Sequence, residues 1–371
     1  MTVRARAAVC RGKEQPFDFQ EVDVDDLRPD ELLVRIVASG ICHTDLAVRD
    51  GQLPVELPAV LGHEGAGIVE KVGSAVTVAK PGDRVIMSFN SCGHCPSCDH
   101  SAPTYCYNFF QENWSGRRAD GTHALSADGK GVNANFFGQS SFATYAVTHQ
   151  RNTVRVPDDL DHLPLESLGP VGCGLMTGAG AVLRSMGVES GMPIAVTGAG
   201  TVGIAAVMAA KIAGASPIIA IDINDGRLAL AQELGATHII NARDDVSAAL
   251  AALCPTGLGY AFDTTGRSEL IETLFSHLAP KGQLGIVGAS DPQAMLSFNE
   301  SAFMGGGRTV KGILGGDSDG GEFLVSLMRH HAEGRFPFDR LIRYFPFSQI
   351  DEAVHASESG EVVKPVLLMD R

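Results

Sequence analysis

The chain has 371 residues, 44% of them hydrophobic, a length at which a single core usually stops growing and two domains are the natural expectation. Its formal net charge of −14 repels phosphate backbones, which argues against a nucleic-acid partner and leaves a small neutral ligand open. Arg4 and Arg6 are not followed by a long apolar run, so no secretory signal is read there and a cytoplasmic protein is expected.

In chain order, the first 150 residues alternate short Val/Ile segments with Gly, Pro and Asp turns. Leu32–Val37, Gly67–Val72 and Arg84–Met87 read as strands of a largely β domain. From about Pro193 the texture changes. Ile194–Thr197 reads as a strand, Val202–Ala213 as an Ala-rich helix, Ile218–Ile223 as a strand, Arg227–Leu234 as a helix and Thr237–Asn241 as a strand. Tyr260–Thr264, Gln283–Val287 and Val310–Ile313 continue the same sheet. Strands alternating with helices predict a parallel, doubly wound α/β sheet. Glu322 to Arg371 reads as helix, strand, helix, strand. The uncharged run Pro193–Ala210 just reaches membrane-spanning length, but a buried strand and a buried helix broken by Pro193 and glycines explain it better.

Three constellations carry chemistry. Cys42-His43-Thr44-Asp45 follows a strand, Gly62-His63-Glu64-Gly65 lies about twenty residues on, and Gly172-Cys173-Gly174 precedes the α/β region. Each is weak alone, since a lone Cys is usually core. Together, two thiolates and an imidazole make a three-ligand set with one open position, the pattern of a catalytic zinc. The second is Cys92-x2-Cys95-x2-Cys98-x7-Cys106. Without an export signal, metal ligation is favoured over disulfides. Ferredoxins also begin C-x2-C-x2-C, but their fourth Cys follows after three residues and precedes Pro; here it precedes Tyr107, and a closed structural zinc fits better.

The third is Gly198-Ala-Gly200-Thr201-Val202-Gly203. Alone it is a weak motif. Here it follows a strand, opens a helix and is followed 19 residues later by Asp222 at the end of the next strand. The glycines allow a tight turn, approach of backbone N–H groups to a pyrophosphate, and close helix–strand packing. Asp222 would accept from the adenosine ribose and repel a 2′-phosphate, favouring NAD over NADP.

These motifs, with GICHTD (Gly40–Asp45), GHEGAG (Gly62–Gly67), CGHCPSC…C (Cys92–Cys106), GCG (Gly172–Gly174) and TGAGTVG (Thr197–Gly203), make the sequence resemble the medium-chain, zinc-containing alcohol dehydrogenases over essentially its whole length. FFGQSSFATYAV (Phe136–Val147), LGPVGCGLMTGAG (Leu168–Gly180) and GRFPFDRLI (Gly334–Ile342) make it most similar to the bacterial aryl-alcohol (benzyl alcohol) and geraniol dehydrogenases. The resemblance implies a GroES-like catalytic domain at 1–174, with 315–371 returning to it, around a Rossmann domain at 175–314. It implies Cys42, His63 and Cys173 on a catalytic zinc, with Glu64 beside it and Asp45 orienting His63. It further implies Cys92, Cys95, Cys98 and Cys106 on a structural zinc, so two zinc ions per subunit. Thr44 would take the substrate proton. Thr44, Leu53, Phe136 and Phe137 would line the substrate pocket. Thr177, Arg227 and Lys364 stand where relatives contact cofactor ribose or phosphate, and His43 where many carry Arg at the pyrophosphate.

One position departs from the pattern: Ala47 stands where many relatives have the histidine that closes a proton relay, and His43 is a candidate replacement. The activity implied is oxidation of an aryl or allylic primary alcohol to its aldehyde, by hydride transfer from a zinc-bound alkoxide to NAD. The expected assembly is a homodimer or homotetramer, with Val310–Gly316 as a candidate interface strand. The alternatives are a glutathione-dependent formaldehyde dehydrogenase of the same family, with Arg117 and Arg118 as candidate glutathione contacts, and a non-catalytic zinc- or dinucleotide-binding protein.

Overall fold

The structure, a computed structural model, describes residues 3–13, 15–289, 291 and 293–370. Contacts divide these into two units. The first runs to Cys173 and takes back Asp319–Ala332 and the chain from Asp339 onward; the second is Gly174–Ser318 with Glu333–Phe338. The sequence reading drew the return at 315 and did not foresee that 333–338 would leave the first unit again.

The first unit is built on two sheets. One has the order Ala59–Val60, Val3–Cys10, Asp18–Val24, Leu125–Ala127, Lys130–Val132. The other runs Thr153–Arg155, Arg84–Met87, Gly65–Val72, Glu31–Gly40, Lys364–Leu368, Ile342–Pro346, with Tyr145–His149 also paired to Glu31–Gly40. Glu31–Gly40 is almost wholly buried and organises the second sheet. The chain's last strand pairs antiparallel with its end, Val366 opposite Gly40 and Leu368 opposite Ala38. That register brings Lys364 to the place where the strand Glu31–Gly40 ends and the turn at Cys42 begins.

The second unit holds a six-stranded, all-parallel sheet: His238–Asn241, Ile218–Asp222, Ile194–Thr197, Leu258–Asp263, Leu278–Ile286, Thr309–Gly312. Numbered along the chain this is 3-2-1-4-5-6, the doubly wound order of dinucleotide-binding folds. Ile194–Thr197 and Leu258–Asp263 are buried along their whole length, as helices on both faces require. The helices Val246–Leu253 and Ser268–Ser276 are additional to those read from the sequence. Pro193–Ala210 resolves into the strand Ile194–Thr197 and the start of the helix Thr201–Ala213. Among the described residues no helix is long and apolar enough to cross a membrane.

Candidate active site

Cys42 caps the helix His43–Arg49, and the third residue of that helix, Asp45, turns back on it. The Asp45 carboxylate is fully buried and accepts three hydrogen bonds: from the Cys42 N–H at 2.9 Å, the Gly62 N–H at 3.0 Å and His63 Nδ1 at 3.0 Å. One side chain thereby ties together two loops that are 20 residues apart in sequence. The bond to Nδ1 fixes the tautomer, so the lone pair of His63 lies on Nε2. That nitrogen is buried and has no hydrogen-bond partner among the described residues. A buried acceptor without a donor is costly unless something else takes its lone pair.

The other donors complete the arrangement. Cys173 is brought in by a close backbone approach: a Cβ on Gly172 would lie 2.0 Å from the Met87 carbonyl oxygen, and Ser88 Oγ donates to the Gly172 carbonyl at 2.6 Å. Cys42 Sγ and Cys173 Sγ are 4.0 Å apart. Cys42, His63, Glu64 and Cys173 each offer one ligand atom, and these lie within 4.8 Å of one another. Cys173 donates to Cys42 and so holds the Cys42 thiol well below its ordinary pKa against the opposing effect of burial, while giving that hydrogen bond and burial keep Cys173 well above. Burial alone would depress the His63 pKa, but the Asp45 carboxylate and the Cys42 sulfur outweigh it and raise it well above its usual value, so the site favours a positive charge at Nε2, whether a proton or a metal ion. The donor set suits a zinc ion, which takes imidazole and thiolate together.

Glu64 is fully buried, and burial raises its carboxyl pKa against the pull of Lys364. Lys364 Nζ donates to both Glu64 oxygens at 2.9 Å and to the Ile41 carbonyl at 2.9 Å. The structure gives Lys364 a partner that the sequence did not show. Its ammonium, 3% exposed, is engaged inside the first unit as the counter-ion of Glu64, because the last strand's register buries it there.

Thr44 Oγ1 lies 3.8 Å from Cys42 Sγ. His43 is exposed and Ala47 is buried. Phe136 is buried in the core and stands edge-on to His63, with centroids 5.5 Å apart. Phe137 lies nearly flat on the same imidazole at 4.5 Å and 24°. Leu53 is half-buried against the same core. Gln139, missed from the sequence, is 1% exposed: its Nε2 donates to the carbonyls of His63 and Ser88 at 3.0 Å, and its Oε1 accepts from the Gly65 N–H at 3.0 Å. Only its place between aromatic and small residues marked it.

Cys92, Cys95, Cys98 and Cys106 form a second cluster, again within 4.8 Å. Sγ–Sγ distances are 3.5 Å for Cys95–Cys98 and 4.0 Å for both Cys92–Cys98 and Cys95–Cys106. A tetrahedron with Zn–S of about 2.3 Å has edges of about 3.8 Å. An iron–sulfur cube, whose thiolates sit on different irons, would hold them further apart. Backbone N–H groups of Cys92 and Tyr107 point at Cys106 and Cys95 sulfurs, at 3.3 and 3.4 Å. Against burial, such N–H groups bring Cys95 down to about 6, whereas burial pushes Cys106 up to about 12.

In the second unit, Gly198, Gly200, Thr201, Val202 and Gly203 make the turn from the strand Ile194–Thr197 into the helix Thr201–Ala213. A Cβ on Gly203 would fall 1.6 Å from the Gly198 carbonyl oxygen, so only glycine allows that helix to start so close to the strand. Asp222 ends the adjacent strand; its Oδ2 accepts from the Ala199 N–H at 2.6 Å and its Oδ1 from the Asn224 N–H at 2.8 Å. Arg227 is half-buried on the next helix, with its Nε lacking a partner among the described residues, and Thr177 is buried in the helix Gly174–Gly180.

A parallel sheet in dinucleotide-binding order and two metal-competent thiolate clusters on one chain define a zinc-binding dehydrogenase. The profile of the alcohol dehydrogenase GroES-like domain matches residues 28–158 and that of the zinc-binding dehydrogenases residues 201–329. The chain belongs to the zinc-containing alcohol dehydrogenase family and is an alcohol dehydrogenase. It is 44% identical over 369 residues to a geraniol dehydrogenase of Castellaniella defragrans, covering 99% of this chain and 98% of that one. Among solved structures it is similar to an alcohol dehydrogenase zinc-binding domain protein of Burkholderia ambifaria, with TM-score 0.97, 46% identity and full coverage of both chains. It is also similar to the benzyl alcohol dehydrogenase of Acinetobacter calcoaceticus, with TM-score 0.95, 41% identity, and 99% and 100% of the two chains covered.

Proposed function

We propose that the protein oxidises planar, unsaturated primary alcohols, benzylic or allylic, to their aldehydes with NAD, and that each subunit holds two zinc ions. Cys42, His63 and Cys173 would hold the catalytic ion, with Glu64 beside it, and Cys92, Cys95, Cys98 and Cys106 the structural one. When bound, zinc lowers the pKa of a coordinated hydroxyl, and NAD accepts a hydride. The residues of the chain supply the rest. Asp45 fixes the imidazole and the Cys42 loop. Lys364 neutralises Glu64, so that the buried carboxylate adds no net charge beside the thiolates. Thr44 offers a hydroxyl next to Cys42 to take the substrate proton, and the exposed imidazole of His43 can pass it on where Ala47 cannot. Asp222, on the second unit, is the acceptor for the adenosine ribose, with Arg227 and Thr177 as further cofactor contacts.

The observation that carries the substrate class is Phe137 lying flat on the His63 ring. An aromatic wall in contact with a metal-ligand imidazole favours flat apolar substrates by about 0.5–1.5 kcal/mol beyond burial, up to roughly tenfold in rate. The names of the geraniol and benzyl alcohol dehydrogenases to which the chain is similar support the same class. The glutathione-dependent alternative loses its basic residues: Arg118 is buried against Glu31, Asp25 and two carbonyls, and Arg117 pairs with Glu56 at the surface. The test is kcat/KM for benzyl alcohol, an allylic alcohol and ethanol, with NAD and with and without glutathione. A preference for ethanol, or a requirement for glutathione, refutes the proposal.

A further inference from the structure

The four-cysteine cluster and the Cys42/His63/Cys173 cluster are linked by aromatic rings. Phe109 packs on the cluster of Cys92, Cys95 and Cys106. It meets Phe137 edge-on, with centroids 6.2 Å apart and planes at 84°. Phe137 in turn is stacked on His63 at 4.5 Å. The stack depends on an unusual backbone. Phe137 has φ 50° and ψ 33°, a left-handed conformation that is disfavoured for a residue with a ring on its Cβ. The turn is held from outside: Asn152 Nδ2 donates to the carbonyls of Phe137, Gly138 and Ser88 at 3.1–3.3 Å. Phe109 is held as well. Asn113 Nδ2 donates to its carbonyl at 3.0 Å and to that of Asn90 at 2.9 Å, two residues before Cys92.

The two restraints on His63 are complementary. Asp45 fixes the direction of Nδ1, and Phe136 meets the ring only edge-on, so neither covers its face. A ring laid flat on the imidazole opposes tilting of its plane, and so holds where Nε2 points. The strain acquires a purpose if the ring must lie on His63.

We propose that Phe109 and Phe137 are positioning residues through which the four-cysteine lobe holds the His63 imidazole in its ligating orientation. The inference rests on reading both clusters as zinc sites. The test uses whole protein with zinc in the four-cysteine site and cobalt(II) in the other, comparing wild type, Phe109→Leu, Phe137→Leu and the double variant. Leucine keeps apolar volume but removes the flat or edge-on ring, so each variant should fold. Expected results are a shifted cobalt visible spectrum and release of cobalt to a chelator at least fivefold faster in both single variants. The double variant should be no faster than Phe137→Leu, because Phe109 acts through Phe137. An unchanged spectrum and release rate in Phe109→Leu, or additive effects in the double variant, overturns the proposal. Wild-type protein holding fewer than two zinc ions overturns the metal reading and the proposal with it; two zinc ions with an unaltered Phe109→Leu variant overturns the proposal alone.

Discussion

Replacing Asp45 with asparagine keeps the shape of a fully buried side chain while removing its charge and one of its acceptor positions. The carboxylate takes the N–H groups of Cys42 and Gly62 and Nδ1 of His63, all at 2.9–3.0 Å. Both Gly62 and His63 bond to Oδ1, so an amide oriented to serve them turns its NH2 towards the Cys42 N–H, donor against donor. One buried donor left unpaired costs about 1–3 kcal/mol, and two bonds weakened from a charged to a neutral acceptor cost about 1 kcal/mol more. Part of this is felt as stability and part as loss of ligand orientation. Removing a hydrogen bond that orients a metal-ligating histidine typically costs 10–100-fold in metal affinity, about 1.4–2.7 kcal/mol. The assay is zinc transfer to a chromophoric chelator, which should resolve two populations in the wild type. Asp45→Asn should weaken one population 10–100-fold, leave the other within threefold, and lower kcat/KM by a comparable factor. Equal weakening of both populations, or affinity and kcat/KM unchanged within threefold, refutes the reasoning.

Cys106→Ala should reduce zinc from two ions to one per subunit and lower the unfolding temperature before any other property, since a closed thiolate site contributes to folding directly; metal analysis and calorimetry check this, and an unaltered unfolding temperature contradicts it. Asp222→Asn removes the charge that repels a 2′-phosphate while keeping an acceptor for the Ala199 N–H, so kcat/KM with NAD should fall roughly tenfold and the gap to NADP should narrow; equal use of both cofactors by the wild type would rule out the role. His149 accepts the Arg151 N–H on Nδ1 and donates from Nε2 to Asp30, an arrangement that only the neutral ring can make, and burial holds its pKa below the usual value. Its contribution to stability is therefore fully present above the unfolded value of about 6.5 and declines as pH falls from there through the depressed folded value. Asp30, lowered by its bond to His149 against the opposing effect of burial, adds to the decline at lower pH. His149→Gln should flatten the fall in melting temperature between about pH 7 and 5, and an unchanged slope would show that another group carries it.

How much the sequence determined depends on how local each feature is. The four cysteines from Cys92 to Cys106 lie close along the chain, so spacing alone nearly dictates that their sulfurs can meet. The turn at Gly198–Gly203 and the acid at Asp222 are likewise one strand, one helix and one strand apart, and alternation of strand and helix forces the parallel order. The second cluster is different. Cys42 and Cys173 are 131 positions apart, and Lys364 is 300 positions from Glu64. Resemblance could name Cys42, His63 and Cys173, but periodicity says only that a residue faces inward, not which distant residue it faces. That was decided by strand register, Val366 against Gly40, which sets Lys364 on Glu64. The same holds for Phe137, whose left-handed turn is maintained by Asn152 and neighbouring carbonyls, and for Gln139, whose amide meets His63 and Gly65 only once the chain has folded. Local backbone preference disfavours that turn, and it is the packed tertiary structure, with Asn152 bonding its carbonyls, that holds it.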